Sequence, residues 1–266
     1  MSPTIRNNTR FTILDEGTDY LVVNKPAPLQ VHPKKPGGPP TLWDELTRLL
    51  AFEITVGGQV SIINRLDRET SGVTLIAKTP SAARRFGIAM QQRQFRKTYL
   101  AWTIGTPSWQ SLSCHAPILS QRLVQPSDIY VKQIVHPHGS ACQTEFRVLH
   151  HRDTACGPIT LIEATPVTGR MHQIRVHLSH LGHPILGDKL YGPSDRLYLE
   201  FIATGWTPRL AAQLHLPRHA LHAWRLEQLD LPQHLSWQAP IPPDLAAWGS
   251  PQSEPPPPLT DQTLRP

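Results

Sequence analysis

At 266 residues, with 39% hydrophobic side chains, the chain can bury a substantial core as one large domain or two small ones. A net charge of +6 and an isoelectric point near 9.5 favour a polyanionic partner such as RNA. Three widely spaced cysteines, Cys114, Cys142 and Cys156, argue against a disulfide framework or a thiolate zinc site, and no apolar run is long enough to span a bilayer, so a cytoplasmic protein is expected.

Residues 11–14 and 20–24 carry β-branched and aromatic side chains on either side of Asp15-Glu16-Gly17-Thr18-Asp19, which predicts an opening hairpin. Residues 25–28 and 34–40 are too rich in Pro and Gly for regular structure. Thr41 is suited to N-cap a helix through Leu50, with Leu42, Leu46, Leu49 and Leu50 on one face and Asp44, Glu45 and Arg48 on the other. The stretch 62–79 then places the carboxylate of Asp67 between Arg65 and Arg68, in a loop ending Thr70-Ser71-Gly72 that leads into a buried strand at 73–77. A charged loop standing on a core strand is a common setting for a site. On spacing alone, a solvated surface turn fits equally well.

Thr79-Pro80 has the form of an N-cap followed by proline, opening a helix to about residue 94 that carries Arg84, Arg85 and Arg93. Residues 97–105 are strand-like, 107–139 are irregular with strand-like material near 129–135, and 141–151 with 159–164 form an antiparallel pair. Beyond Thr168-Gly169-Arg170, Ile174, Leu178 and Leu181 fall at helical spacing over 171–181, with Gly182 just past the end and Arg175 off the apolar stripe, free to face a cleft. A loop over 183–192 and a strand over 221–229 follow, and the Pro-rich segment from Pro232 thins into a tail.

The nonapeptide Asn64-Arg65-Leu66-Asp67-Arg68-Glu69-Thr70-Ser71-Gly72 resembles the His-Arg-Leu-Asp-x-x-Thr-Ser-Gly signature of the RluA-type pseudouridine synthases. Three further blocks are similar to the same family: residues 21–26 with Val31-His32-Pro33, then Lys97-Thr98-Tyr99 with Ala101 and Gly105, then residues 168–178 with 182–188. The resemblance implies an α+β pseudouridine synthase fold over residues 11–245, a largely antiparallel mixed sheet with flanking helices and a central basic cleft, between a flexible 1–10 and a Pro-rich disordered tail, 246–266. No S4-like RNA-binding domain is expected ahead of it, and a monomer is expected.

The implied activity is that of an isomerase, an intramolecular transferase acting on a uridine of tRNA or rRNA. The N1–C1′ bond breaks, the uracil turns, and C5 rejoins the sugar. Asp67 is the implied catalytic residue, as nucleophile at C1′ or base at C2′; Arg175 is its ion-pair partner; Tyr99 stacks on the base and helps remove the C5 proton. Arg65 is suited to fill the space of the extruded nucleotide, and Arg68, Lys97, Arg170 and His172 join it as RNA contacts. No cofactor is required. His172, His177, His180 and His183 crowd the third block, but Arg170 and Arg175 among them would repel a cation, so no metal is expected. Asn64 stands where the family usually has His, which implies a changed supporting hydrogen bond. It is also the one hint of the alternative, an RNA-binding protein that keeps the fold without the activity.

Overall fold

The computed structural model describes residues 9–33, 35, 37–229 and 235–249; most of the expected flexible start and of the Pro-rich tail lies outside them. The opening hairpin forms as β1 (Thr12–Glu16) against β2 (Tyr20–Lys25), with the bend at Gly17-Thr18-Asp19. In α1 (Leu42–Leu49) the Thr41 hydroxyl accepts the Asp44 N–H and the Asp44 carboxylate takes the Thr41 N–H at 2.8 Å, a reciprocal cap. Its leucines pack on Leu21, Val23 and Ile76.

A short α2 (Ala51–Thr55), not expected, leads to β3 (Ser61–Ile62) and to β4 (Ser71–Ala77), which begins earlier than expected and is buried throughout. The Thr79-Pro80 start opens α3 (Pro80–Gln91), whose Ala82, Phe86 and Ala89 pack with Leu75 of β4, and β5 (Phe95–Ile104) follows. The region read as irregular contains β6 (Ser111–Cys114), β7 (Ile118–Ser120) and β8 (Gln133–Val135), the last two forming a separate two-stranded sheet. Of the strand-like run at 129–135 only its end pairs, while Ile129 buries itself against Val176 and Tyr191.

β9 (Thr144–Thr154) and β10 (Gly157–Pro166) form the expected pair, and α4 (Gln173–His180) starts two residues later than the spacing suggested. Two helices arise where none was assigned, α5 (Arg196–Thr204) and α6 (Pro208–Leu214). The second repeats the Thr-Pro start, with the Thr207 hydroxyl accepting the Leu210 N–H. After β11 (Leu221–Gln228), the segment read as thinning into a tail instead forms β12 (Leu235–Gln238) and α7 (Pro243–Ala246). Trp237 and Ala239 complete the core beside Leu226, and Leu245 and Trp248 pack on the main cluster, so packing passes the expected boundary at 245. Prolines between these few apolar residues masked their pattern.

Ten strands make one sheet in the order β1-β2-β4-β11-β5-β10-β9-β6, with β12 on β11 and β3 on β4. Among the described residues every pairing is antiparallel except β4 with β11, which gives the largely antiparallel mixed sheet expected. At that parallel joint the two backbones nearly touch. Gly72 has φ of +121°, and a Cβ there would lie 2.1 Å from the Ala223 carbonyl oxygen. The glycine that ends Thr-Ser-Gly is therefore a requirement of the centre of the sheet.

Candidate active site

Asp67 lies in the loop between β3 and β4, and most of its neighbours in the signature hold that loop. Asn64 is buried: its amide donates to the Val73 carbonyl at 2.9 Å and accepts the Leu75 N–H at 2.8 Å, stapling the loop to β4. Lys25, fully buried, donates to the carbonyls of Pro26, Leu29 and Arg68 at 2.9, 3.0 and 3.3 Å. Burial brings its pKa down to about 7 against the opposing pull of Asp67. The Thr70 hydroxyl meets His219 Nε2 at 2.7 Å and the Ser71 hydroxyl meets His222 Nδ1 at 2.9 Å. Both histidines are buried and neither stands in a periodic pattern, so no spacing points to them.

Arg175 comes from α4, a helix buried on nearly every side from Gln173 to Leu178. Arg175, expected off the apolar stripe and facing a cleft, is itself buried while it reaches Asp67, and the polar Gln173 and His177 of α4 are buried with it. These polar side chains are individually satisfied, as burial demands. Gln173, for example, accepts from the Thr168 hydroxyl and the Arg170 N–H and donates to Gln143 O and Thr144 Oγ1. The Arg175 guanidinium binds Asp188 through two bonds, Nε to Oδ2 at 2.7 Å and Nη2 to Oδ1 at 2.9 Å, and gives Nη1 to Asp67 Oδ2 at 2.8 Å. Its carbon lies 4.9 Å from the Tyr191 ring centre.

Burial works to raise the pKa of Asp67, but the charge and hydrogen bond of Arg175 outweigh it and hold the carboxyl below the usual range. Asp188 is completely buried, and the same guanidinium holds it far down. Asp67 remains 30% exposed. Its Oδ1 has no hydrogen-bond partner among the described residues, so one oxygen is gripped and the other is open. Beside Asp188, Lys189 holds both carboxylate oxygens of Glu69 at 2.9 Å and ties the two segments together again.

Tyr99 lies on β5 with Ala223 and Ala164 as its cross-strand neighbours, and Gly72 is opposite Ala223. Cross-strand partners share a face, so small residues flank the ring and leave room beside it for a planar group. Burial, and after it the charge of Asp67, pushes the Tyr99 phenol above its ordinary pKa and keeps it neutral. His172 precedes α4 with Nε2 3.8 Å from Asp67 Oδ2. Burial and Arg175 lower its pKa to about 4.

Thus Asp67, Arg175, Tyr99 and His172 are brought together. Arg65 and Arg68 are exposed and leave Asp67 to Arg175, and neither side chain has a partner among the described residues. Lys97 lies half-buried beside Gly169, and exposed Arg170 bonds Ala141 O at 3.3 Å. His177 turns into the core to bond Thr144 Oγ1 and Ala116 O, and His183 reaches Ile104 O. Among the described residues no three His, Cys, Asp or Glu side chains gather as a metal would need, and no helix is long and apolar enough to cross a membrane. Sequence reasoning gave no role to Asp188 and Tyr191, although the loop containing them was recognised. Only the fold reveals that this loop closes behind Arg175.

Residues 19–180 match the family described as RNA pseudouridylate synthase. Ribosomal large subunit pseudouridine synthase D of Nitrosomonas europaea is 36% identical, covering 88% of this chain and 63% of its own. The Yersinia pestis protein of the same name is 32% identical over 88% of this chain and 68% of its own. The chain thus spans less than two thirds of the length of the first of these relatives. Among solved structures, human RNA pseudouridylate synthase domain containing 4 superposes with a TM-score of 0.67 at 27% identity, covering 88% of this chain and 90% of that one. Human RNA pseudouridylate synthase domain containing 1 does so at 0.66 and 25% identity, over 93% and 90%. With a family match across more than half its length and relatives of this kind, the chain belongs to the RNA pseudouridylate synthases of the RluA type.

Proposed function

We propose that this chain converts a uridine of structured RNA to pseudouridine, and that its substrate is ribosomal RNA of the large subunit. The observation that carries the activity is the Asp67 carboxylate, ionised, gripped at one oxygen by Arg175 and open at the other. The choice of RNA rests on the names of relatives D and C, which are ribosomal large subunit synthases.

In this reading the target nucleotide leaves its stack, because the atoms that react are inaccessible inside a helix. Its base lies on Tyr99 in the space left by Ala164 and Ala223. Asp67 Oδ1 acts at the ribose, at C1′ or at the C2′ proton, while Arg175 keeps the carboxylate charged in a closed site. The N1–C1′ bond breaks, the uracil turns, and C5 bonds C1′. C5 loses a proton and N1, freed from the sugar, takes one up; Tyr99 is a neutral phenol, so it takes the C5 proton only as it passes its own to water. Arg65 and Arg68 on the loop, with Lys97, Arg170 and His172, contact the RNA, which makes binding steeply salt-dependent. The work is done in the cytoplasm, where ribosomal RNA is modified.

The non-catalytic alternative loses its footing, since Asn64 bonds the backbone of β4 and leaves the Asp67–Arg175 pair intact. The test is pseudouridine mapping on RNA from a strain lacking the protein. Loss of one or more large-subunit sites, restored by the parent protein and not by Asp67→Asn, is expected. Loss confined to tRNA would overturn the substrate, and restoration by Asp67→Asn would overturn the role of Asp67.

A further inference from the structure

Of a chain of polar contacts beside Asp67, the scheme above uses His172 alone, as an RNA contact, and leaves Gln133 and Tyr191 without a task. The backbone N–H of Gln133, on β8, donates to the Tyr191 hydroxyl at 3.0 Å; that oxygen lies 2.8 Å from His172 Nδ1; and His172 Nε2 faces Asp67 Oδ2 at 3.8 Å. The first link is buried, the second partly so, and the third reaches the half-open Asp67.

Donor accounting fixes the histidine tautomer. The Tyr191 oxygen already accepts from Gln133, and among the described residues the one acceptor for its own proton is His172 Nδ1. An Nδ1–H imidazole would strand that buried proton and aim the Nε2 lone pair at a carboxylate. The Nε2–H form gives the Tyr191 proton its acceptor and turns an N–H toward the carboxylate. With a pKa near 4 the ring is neutral at physiological pH, so no second proton obscures the choice. His172 stands immediately before α4 with φ of +57°, in the left-handed region.

We propose, on the reading that Asp67 acts at the ribose, that Tyr191 and His172 are positioning residues: Tyr191 locks His172 as the Nε2–H tautomer, and that N–H joins Arg175 in holding Oδ2, so that Oδ1 is the oxygen presented to the sugar. At 3.8 Å the histidine contact is longer than a hydrogen bond and closes when RNA expels water from the site. Tyr191→Phe is the clean probe, because it keeps the ring over Arg175 and deletes only the hydroxyl.

The tautomer is read first, by nitrogen-15 NMR of the histidine rings in the unmutated protein, with His172 assigned by the signal lost in His172→Gln. The Nε2–H form is expected, giving way to a mixture in Tyr191→Phe. In steady-state assays Tyr191→Phe should lower kcat about tenfold with KM unchanged, and His172→Gln, which keeps an N–H in the same place, should recover most of the rate lost in His172→Ala. An Nδ1–H ring in the unmutated protein overturns the proposal, as does undiminished kcat in Tyr191→Phe. Should Tyr191→Phe not fold, the unmutated spectrum and the two His172 variants decide it. Failure of the Asp67 reading registers separately, as turnover by Asp67→Asn, and leaves the tautomer result standing.

Discussion

Arg175 and Asp67 stand 108 residues apart in the chain and meet at 2.8 Å, with the other two nitrogens of the guanidinium spent on Asp188. This is a three-point use of one planar cation, which an ammonium cannot reproduce. Arg175→Lys keeps the charge and loses the geometry, so kcat/KM should fall by about two to three orders of magnitude, about 3–4 kcal/mol of transition-state stabilisation. A single-turnover assay checks it, with thermal unfolding as the control for folding.

The same pair sets the pH dependence. The folded pKa of Asp67 is depressed, so it stays ionised as pH falls to the ordinary aspartate value of about 3.9, and its acid limb of kcat/KM lies below that value. Removing the charge in Arg175→Ala takes away the largest influence opposing burial and should move that limb upward. Asp188 obeys the same sign in stability. Its folded pKa is depressed, so its contribution is fully present above about pH 4 and is lost as pH falls through the folded value. Urea midpoints measured from pH 7 to pH 2 should fall at the acid end, and less so in Asp188→Asn.

Gly72→Ala should be among the most damaging single substitutions in the protein. The added Cβ meets the Ala223 carbonyl at 2.1 Å and must adopt a φ of +121°, so the parallel joint between β4 and β11 has to open. A loss of several kcal/mol is expected, comparable with about 3–5 kcal/mol for severe core lesions. Soluble yield and melting temperature read it directly.

Asn64→His should be mild. An imidazole can keep an acceptor for the Leu75 N–H while losing the donor to Val73 O, which costs about 1 kcal/mol for one hydrogen bond. Asn64→Ala strands both backbone groups and should cost about twice that or more. Denaturant titration of the two variants, beside their turnover, separates the role of the amide in the loop from any role in rate.

Much of this was legible in the residues because local rules decided it. Thr41 with Asp44, and Thr79 with Pro80, announced their helices through capping chemistry that involves only neighbours. Asp67, Tyr99 and Arg175 were legible through the motifs around them. The chain from α5 to α6 was not, since these helices bury one thin apolar edge each, around Leu197, Leu210 and Leu214. Nor could composition reveal that Asp188 backs Arg175, that His219 and His222 receive Thr70 and Ser71, or that Arg175 is buried off any stripe. Those facts depend on which strands become neighbours, and the β4–β11 joint that arranges them links residues about 150 positions apart.

The proton at uridine C5 gives the sharpest test of Tyr99. It must leave when that carbon bonds the ribose, so RNA tritiated at C5 should release label to water in step with pseudouridine formation. Tyr99 is neutral, flanked by Ala164 and Ala223, and within the field of Asp67. Tyr99→Phe preserves the ring and its stacking surface, worth about 1–3 kcal/mol per base by alanine substitution, and deletes only the oxygen. If the hydroxyl carries the proton, Phe should bind RNA as tightly as the parent while label release collapses. If the ring serves as a platform alone, Phe should release label at nearly the parent rate, and only Tyr99→Ala should fail.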